Sequence, residues 1–272
     1  MIPEPHPEVV NRQPRVLIVG YGHVGHQMAR YFTDACYVDV DERPRRVCDD
    51  EPVHPKEVYD IGFICVPTPE GGEDSAGACD VSMVRAAYAR WWAYARYWCI
   101  KSTVTPGTCE SLGDRVCFSP EYYGETLGHP LVGIPRDPFI ILGGPPDVTQ
   151  AFATAWTLVT NSYARIYQTD SRTAELCKLM ENAWIAVKVS FCNEMYDLAH
   201  AGAVDWNMLR ELWLADPRVS RSHTYVYPDN RGWGGKCIPK DTANLCAWAR
   251  EQGHPAELIE ATREYNARLR AG

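Results

Sequence analysis

Arg15-Val16-Leu17-Ile18-Val19-Gly20-Tyr21-Gly22-His23-Val24-Gly25 is the stretch that decides the fold of this chain. Its first five residues, rich in β-branched side chains, read as a short buried strand, and they run straight into a glycine-rich turn and a helical stretch, Val24 to Phe32. In that setting each glycine has a physical role. Gly20 permits the tight turn, Gly22 lets a pyrophosphate approach the backbone N–H groups of the helix N-terminus, and Gly25 lets helix and strand pack closely. A second strand, Cys36 to Asp39, ends in a carboxylate roughly 20 positions after Gly20, where an acid binds the adenosine ribose. Asp39 would repel a 2′-phosphate and so favours NAD over NADP, whereas Arg43 soon after could accept that phosphate. The candidate cofactor contacts here are Gly20, Gly22, His23, Val24, Gly25, Asp39 and Arg43. The plain alternative is a Gly-rich turn of some other α/β protein; strand, glycines and acid in register argue against it.

Working outward, strands and helices alternate up to about residue 168. Ile61 to Val66 leads into Pro67-Thr68-Pro69, and Trp98 to Lys101 leads into Ser102-Thr103-Val104-Thr105-Pro106-Gly107-Thr108. The carboxyl ends of parallel strands line the ligand crevice, which places Pro67, Thr68, Ser102 and Thr103 toward the cofactor. Ordinary turn chemistry accounts for Thr68 or Ser102 equally well. Arg115 to Phe118 precedes Ser119-Pro120-Glu121-Tyr122-Tyr123-Gly124-Glu125, whose two acids could equally form a solvated face. Phe139 to Gly144 supplies one more strand, with a covering helix over Asp147 to Val159. The expectation is an α/β fold in which residues 1–168 form an NAD-binding, Rossmann-like, doubly wound parallel sheet.

Size and charge bound the rest. At 272 residues and 30.7 kDa the chain suggests two domains, with one large domain as the alternative. A net charge of −8 and a pI near 5.5 argue against nucleic acid or an anionic membrane as partner and favour a small molecule. Met1 to Arg15 carries prolines and charges where a signal peptide needs an apolar core, and no stretch approaches the roughly 18 apolar residues of a membrane span. The expectation is a cytoplasmic protein. Eleven cysteines, an odd number scattered from Cys36 to Cys246, read as reduced thiols; with no CxxC pair or Cys/His cluster, no metal is expected.

After Asp170 the composition changes. Ser171 to about Ala201 reads as one long helix, apolar on more than one face, which suggests the interior of a helical domain (169–272) or a homodimer interface. Lys178 and Asn182 lie four apart on it and can converge on one ligand atom, where together they could hold an alkoxide or a tetrahedral oxyanion. Taken singly, each has a bland explanation: a solvated helix lysine and a satisfied core amide. Further on, Gly234-Gly235-Lys236-Cys237-Ile238-Pro239-Lys240-Asp241 places a cysteine after a glycine pair. The glycines let the backbone bend close to a ligand, and Lys236 and Lys240 bring positive charge that favours thiolate. Cys237 could be one more buried thiol, but its setting differs from that of the other cysteines. A nucleophilic thiol beside a nicotinamide implies aldehyde chemistry, because addition of sulfur to an aldehyde sets up a second oxidation.

Taken in order, these segments resemble the UDP-glucose/GDP-mannose dehydrogenase family. The resemblance rests on GYGHVG from Gly20, FICVPTP from Phe63, KSTVTPGT from Lys101, SPEYYGE from Ser119, AELCKLMENAWIAVKVSFCNEM from Ala174 and GWGGKCIPKD from Gly232. It implies that Cys237 is the nucleophile that forms a thiohemiacetal and then a thioester. Lys178 and Asn182 would stabilise the oxyanion, with Lys178 a candidate for proton transfer in the first oxidation. Asp241 and Thr103 would position water, Glu121 would be the base for thioester hydrolysis, and Glu125 would be a second acid near the nicotinamide. Two departures stand out. The chain stops at Gly272, just after a helix Pro255 to Leu269, so the resemblance implies a shortened form lacking the C-terminal domain that grips the nucleotide. The segment between Asp39 and Phe63 is also short, so an element of the first domain is expected to be missing.

Three functional readings follow. The first is NAD-dependent, four-electron oxidation of a primary alcohol to a carboxylate, with two NADH per product, on a nucleotide sugar or a smaller relative. The second is a two-electron dehydrogenase resembling the 3-hydroxyacid and 6-phosphogluconate enzymes, which leaves Cys237 without a task. The third is a non-catalytic NAD-binding module.

Overall fold

The computed structural model describes residues 13–40, 43–52, 58–71, 77–122, 139–160 and 162–271. The chain divides into two compact units, one of Met1–Thr68 with Val81–Glu175 and one of Pro69–Asp80 with Leu176–Gly272. The division falls after Glu175, within the long helix, and Pro69–Asp80 groups with the second unit.

Unit 1 carries strands β1 (Val16–Val19), β2 (Cys36–Val38), β3 (Arg45–Arg46), β4 (Tyr59–Ile64), β5 (Ala95–Ile100), β6 (Val116–Phe118), β7 (Phe139–Gly143) and β8 (Arg165–Thr169). Its helices are α1 (His23–Tyr31), α2 (Ser82–Trp91), α3 (Thr108–Leu112) and α4 (Pro146–Val159). The strands form one sheet in the order β3-β2-β1-β4-β5-β6-β7-β8. All four residues of β1 are buried, as expected of a central parallel strand covered on both faces. Alternate side chains go to opposite cores. Val16 and Ile18 pack with Met28 and Phe32 at α1 and with Phe152 and Trp156 of α4. Leu17 and Val19 share the other core with Val84 and Trp91 of α2 and Cys109 of α3. Each such side chain contributes about 1.5–3 kcal/mol on burial, so a one-residue slip of β1 would exchange both sets at once. Helices therefore cover both faces, and the chain winds from β1 to β2 on one side and to β4 on the other.

The sheet is mainly parallel rather than wholly so: β2–β3 and β6–β7 are antiparallel. Among the described residues between β2 and β4 there is no helix, only β3, paired as a hairpin with Tyr37 opposite Arg45. A tight hairpin can join strands only antiparallel, so this short segment ends the sheet instead of crossing it. Asp50 closes the hairpin by accepting from the Tyr37 hydroxyl and from Arg45, and that hydroxyl bond pushes the Tyr37 group up to about 12.

Beyond the sheet come α5 (Ser171–Ala201), α6 (Trp206–Trp213), α7 (Ile238–Glu251) and α8 (Glu257–Ala271). Cys192 and Ala199 of α5 pack with Trp206 of α6, flanked by Met195, Tyr196, Leu209, Trp213 and Val226. Arg250 at the end of α7 pairs with Glu260 of α8 at 2.6 Å. The returning segment is anchored where the Cys79 N–H donates to Asn244 Oδ1 of α7 at 3.2 Å. Among the described residues no helix is long and apolar enough to cross a membrane.

Candidate active site

Unit 1 contributes the fingerprint loop. Gly20 has φ +89, and a Cβ there would lie 2.8 Å from the Cys65 carbonyl oxygen; a Cβ on Gly25 would lie 2.2 Å from the Gly20 oxygen. Both positions therefore require glycine. Gly22 is the opposite case: nothing lies within 4 Å of the place a Cβ would occupy, and this open side faces no protein atom. Gly22 is also the N-cap of α1, with no side-chain cap bond, so the first N–H groups at His23 and Val24 are set up as anion donors. Asp39 and Arg43 are both exposed at the β2 end. This loop and acid fit a dinucleotide.

The two other strand exits are tied to each other. Thr68 Oγ1 donates to the Thr103 carbonyl at 2.7 Å, and Ser102 Oγ donates to the Val66 carbonyl at 2.6 Å. Their hydroxyl hydrogens hold the loops after β4 and β5 together, which is the turn role open to them from sequence. Pro67 beside them is exposed. Buried Lys101 donates to Ser119 Oγ at 3.2 Å and to the Pro120 carbonyl at 3.0 Å, fixing the backbone immediately before Glu121. The Gly107 and Cys109 N–H groups donate to buried Glu175 at 2.5 and 2.9 Å; burial raises that carboxyl above its ordinary range. Glu125 lies outside the described residues.

Unit 2 assembles the thiol and its neighbours. Lys178 and Asn182 are both buried on α5, one turn apart. Asn182 Nδ2 donates to Asp241 Oδ2 at 2.5 Å, and Asp241, in the first turn of α7, is 1% exposed. The Asp241 N–H donates to the Cys237 carbonyl at 2.8 Å, so Cys237 sits one turn before the residue that grips Asn182. A carboxylate only accepts, which orients the Asn182 amide and leaves its second N–H to point elsewhere. Cys237 is exposed at the N-cap of α7, beside the first N–H groups of that helix. Other thiols differ: burial pushes those of Cys65, Cys109, Cys117, Cys192 and Cys246 up, away from nucleophilic character.

The Lys240 ammonium bonds Asp241 Oδ1 at 2.5 Å, an ion pair between neighbours in sequence. Helix α7 starts at Ile238, and in its first turn the lysine turns to its buried neighbour. Sequence reading passed over Asn266, Arg263 and Ser190, which hold the Cys237 loop. A polar residue on a helix gives no sign of which distant backbone it will meet.

Residues 172–268 match the central domain of the UDP-glucose/GDP-mannose dehydrogenase family. The chain is 32% identical over 230 residues to a UDP-glucose 6-dehydrogenase of Pseudomonas aeruginosa, covering 77% of this chain and 49% of the relative. It is 28% identical over 309 residues to the UDP-glucose 6-dehydrogenase AglM of Haloferax volcanii, covering 92% and 68%. Among solved structures, a UDP-glucose dehydrogenase of Pyrobaculum islandicum superposes with a TM-score of 0.76 at 23% identity, over 97% of this chain and 70% of that one. The chain spans about half the length of the first curated relatives it matches. The structural likeness is one of fold.

Proposed function

The chain is a relative of the UDP-glucose/GDP-mannose dehydrogenase family, and on that premise we propose that it takes part in NAD-dependent, four-electron oxidation of a primary alcohol to a carboxylate on a nucleotide sugar or a smaller related substrate. The observation that carries this is the linked set in unit 2: an exposed thiol at a helix N-terminus, one turn from a buried acid that orients Asn182, with buried Lys178 one turn along α5. The names of the relatives support a nucleotide sugar as substrate. NAD would be held by Gly20, Gly22, His23, Val24 and Gly25, with Asp39 on the ribose, Arg43 at the mouth of the β2–β3 hairpin, and Pro67, Thr68, Ser102 and Glu125 as further contacts. When bound, it supplies the hydride acceptor for both oxidations.

The residues divide the work as follows. Lys178 is the candidate for the proton transfer, taking the hydroxyl proton as the alcohol loses hydride and becomes aldehyde. The Cys237 thiolate adds to the aldehyde carbon, forming a C–S bond, and the resulting oxyanion is held by Lys178 and the remaining Asn182 N–H. Loss of a second hydride from that carbon leaves a thioester. Hydrolysis needs a water with its proton removed; Glu121 is assigned as base, and Asp241 and Thr103 as water-positioning groups. The C–S bond breaks, the carboxylate is released, and the Cys237 sulfur regains a proton. A two-electron dehydrogenase would use none of the thiol steps.

We also place the protein in the cytoplasm as a homodimer: eleven cysteines, an odd number scattered along the chain, suit a reducing compartment, and exposed apolar side chains run along α5. The test of the reaction is a panel of nucleotide sugars, free sugars and nucleotides with NAD, counting NADH per carboxylate. The expected result is a ratio of two, loss of product with Cys237→Ala, and an acyl adduct on Cys237 by mass spectrometry under slowed turnover. A ratio of one with Cys237→Ala fully active would establish the two-electron reading instead. Cofactor binding with no reduction by any alcohol would leave a binding module.

A further inference from the structure

The loop that presents Cys237 is short and rich in glycine, and one helix grips it on both sides. Asn266 of α8, itself buried, accepts the Trp233 N–H on Oδ1 at 2.7 Å and donates from Nδ2 to the Trp233 carbonyl at 3.0 Å. This is a two-bond clamp on a single residue's backbone, of the kind a neighbouring strand would make. Gly232 just before it has φ +74, and a Cβ there would lie 2.4 Å from Asn266 Oδ1, so the clamp is built on a residue without a side chain. The Trp233 indole N–H donates to Ser190 Oγ of α5 at 3.0 Å, on the same helix as Lys178 and Asn182. Downstream, Arg263 of α8, three residues before Asn266, donates from Nη1 to the Pro239 carbonyl and to Thr242 Oγ1, both at 2.8 Å.

Only residues 234–238 lie between these two grips. They include Gly234, whose Cβ position is 3.2 Å from the Arg270 guanidinium, and Gly235 at φ +80. Two glycines give this span a large choice of conformations unless both ends are held. Within the span, the Cys237 carbonyl accepts the Asp241 N–H and the Ile238 carbonyl accepts the Thr242 hydroxyl, both at 2.8 Å, which ties its last two residues to the first turn of α7; ahead of them stand only the two glycines and Lys236. An α8 face spaced i, i+3, i+7 (Arg263, Asn266, Arg270) therefore acts as a splint across the loop.

We infer that Asn266 is a positioning residue for Cys237: its clamp on Trp233, with Arg263 on Pro239, sets where the sulfur stands relative to Lys178 and Asn182. The inference rests on the reading of Cys237 as nucleophile only for its catalytic consequence; the geometry of the loop stands by itself. A splint of this kind acts on the rate of the bond-forming step, since displacement of a reacting atom by about 1 Å can cost on the order of 100-fold.

The experiment measures iodoacetamide alkylation of each cysteine by peptide mass spectrometry across pH, in the full chain and in Asn266→Asp, Asn266→Leu and Arg263→Gln, alongside kcat and KM where turnover is found. Exposed Cys48 is the internal reference, and buried Cys192 and Cys246 report loss of the fold. Asn266→Asp keeps shape but removes the donor to the Trp233 carbonyl. The expected result is that both Asn266 variants move the Cys237 pH profile toward that of Cys48 and change its rate at least about fivefold, with Cys192 and Cys246 still protected. With turnover, kcat should fall about 10- to 100-fold and KM stay within about threefold. An unchanged Cys237 profile with Cys192 and Cys246 still protected overturns the inference; alkylation of Cys192 and Cys246 in step with Cys237 marks a variant that does not fold. If the Asn266 variants do not fold, Arg263→Gln decides, since it withdraws the other grip of α8, on the Pro239 carbonyl and the Thr242 hydroxyl: a shift of about twofold or more in Cys237 alkylation supports the splint and no shift refutes it. Absence of turnover in the wild type would count against the proposed reaction alone, because the alkylation profiles need no substrate.

Discussion

At the residue scale the proposed chemistry turns on the Asp241 carboxylate. It is nearly excluded from water yet accepts two bonds of 2.5 Å, one from the Asn182 amide and one from the Lys240 ammonium. Charge-assisted bonds of this sort are stronger than neutral ones, and a buried acid left without them would be strongly unfavourable. Asp241→Asn keeps the shape and removes the charge, so Lys240, itself mostly buried, loses its counter-ion. The variant should lose about 2–3 kcal/mol, less than a fully buried pair would because Lys240 retains some contact with water. Urea unfolding is the measurement, and a midpoint equal to wild type would show that the carboxylate is not needed as an anion. Activity should fall further than stability, by about 100-fold in kcat, because an amide at 241 no longer dictates which way the Asn182 amide faces.

At the element scale, α5 owes its start to Asp170. The Thr173 N–H and hydroxyl donate to its carboxylate at 2.8 and 2.6 Å, satisfying an N–H that the first helical turn leaves over. Those bonds, the hydroxyl's first, hold the Asp170 carboxyl below its ordinary range. A carboxyl depressed in the folded state adds stability that is present above its unfolded value and is lost as pH falls through the folded one. Asp170→Ala should therefore cost about 1 kcal/mol at pH 7, and the gap to wild type should close as the pH drops below roughly 4. Unfolding curves at pH 7 and pH 3 check this; an equal deficit at both would mean that the effect is not the cap. Helix α7 shows the complementary arrangement, with Cys237 itself at the N-cap and no side-chain cap bond.

At the scale of the whole molecule, α5 presents a stripe of large apolar side chains to solvent: Met180 is 62% exposed, Trp184 60%, Phe191 45% and Leu198 57%. Spacings of four and seven residues keep them on one side of the helix. Such a stripe fits the proposed second copy, since a two-fold dimer would pack it against itself. Trp184→Glu with Phe191→Glu should give a monomer at concentrations where the wild type sediments as a dimer; a monomeric wild type would dismiss the assembly. The first strand, glycine turn and helix, a sheet wound to both sides of that strand and the full length of α5 were all legible in the sequence; the two antiparallel pairings were not. The former follow from local rules: β-branched runs, glycines where a Cβ has no room, and a helix free of breakers. Residue type and spacing also singled out Cys237, Lys178 and Asn182. What only the tertiary structure decided was who holds whom: Asn182 and Asp241 meet across 59 positions, Trp233 and Asn266 across 33, and Pro69–Asp80 joins the second unit. A buried polar group must find its partner wherever helix packing brings one within about 3 Å, and spacing along the chain carries no record of that meeting.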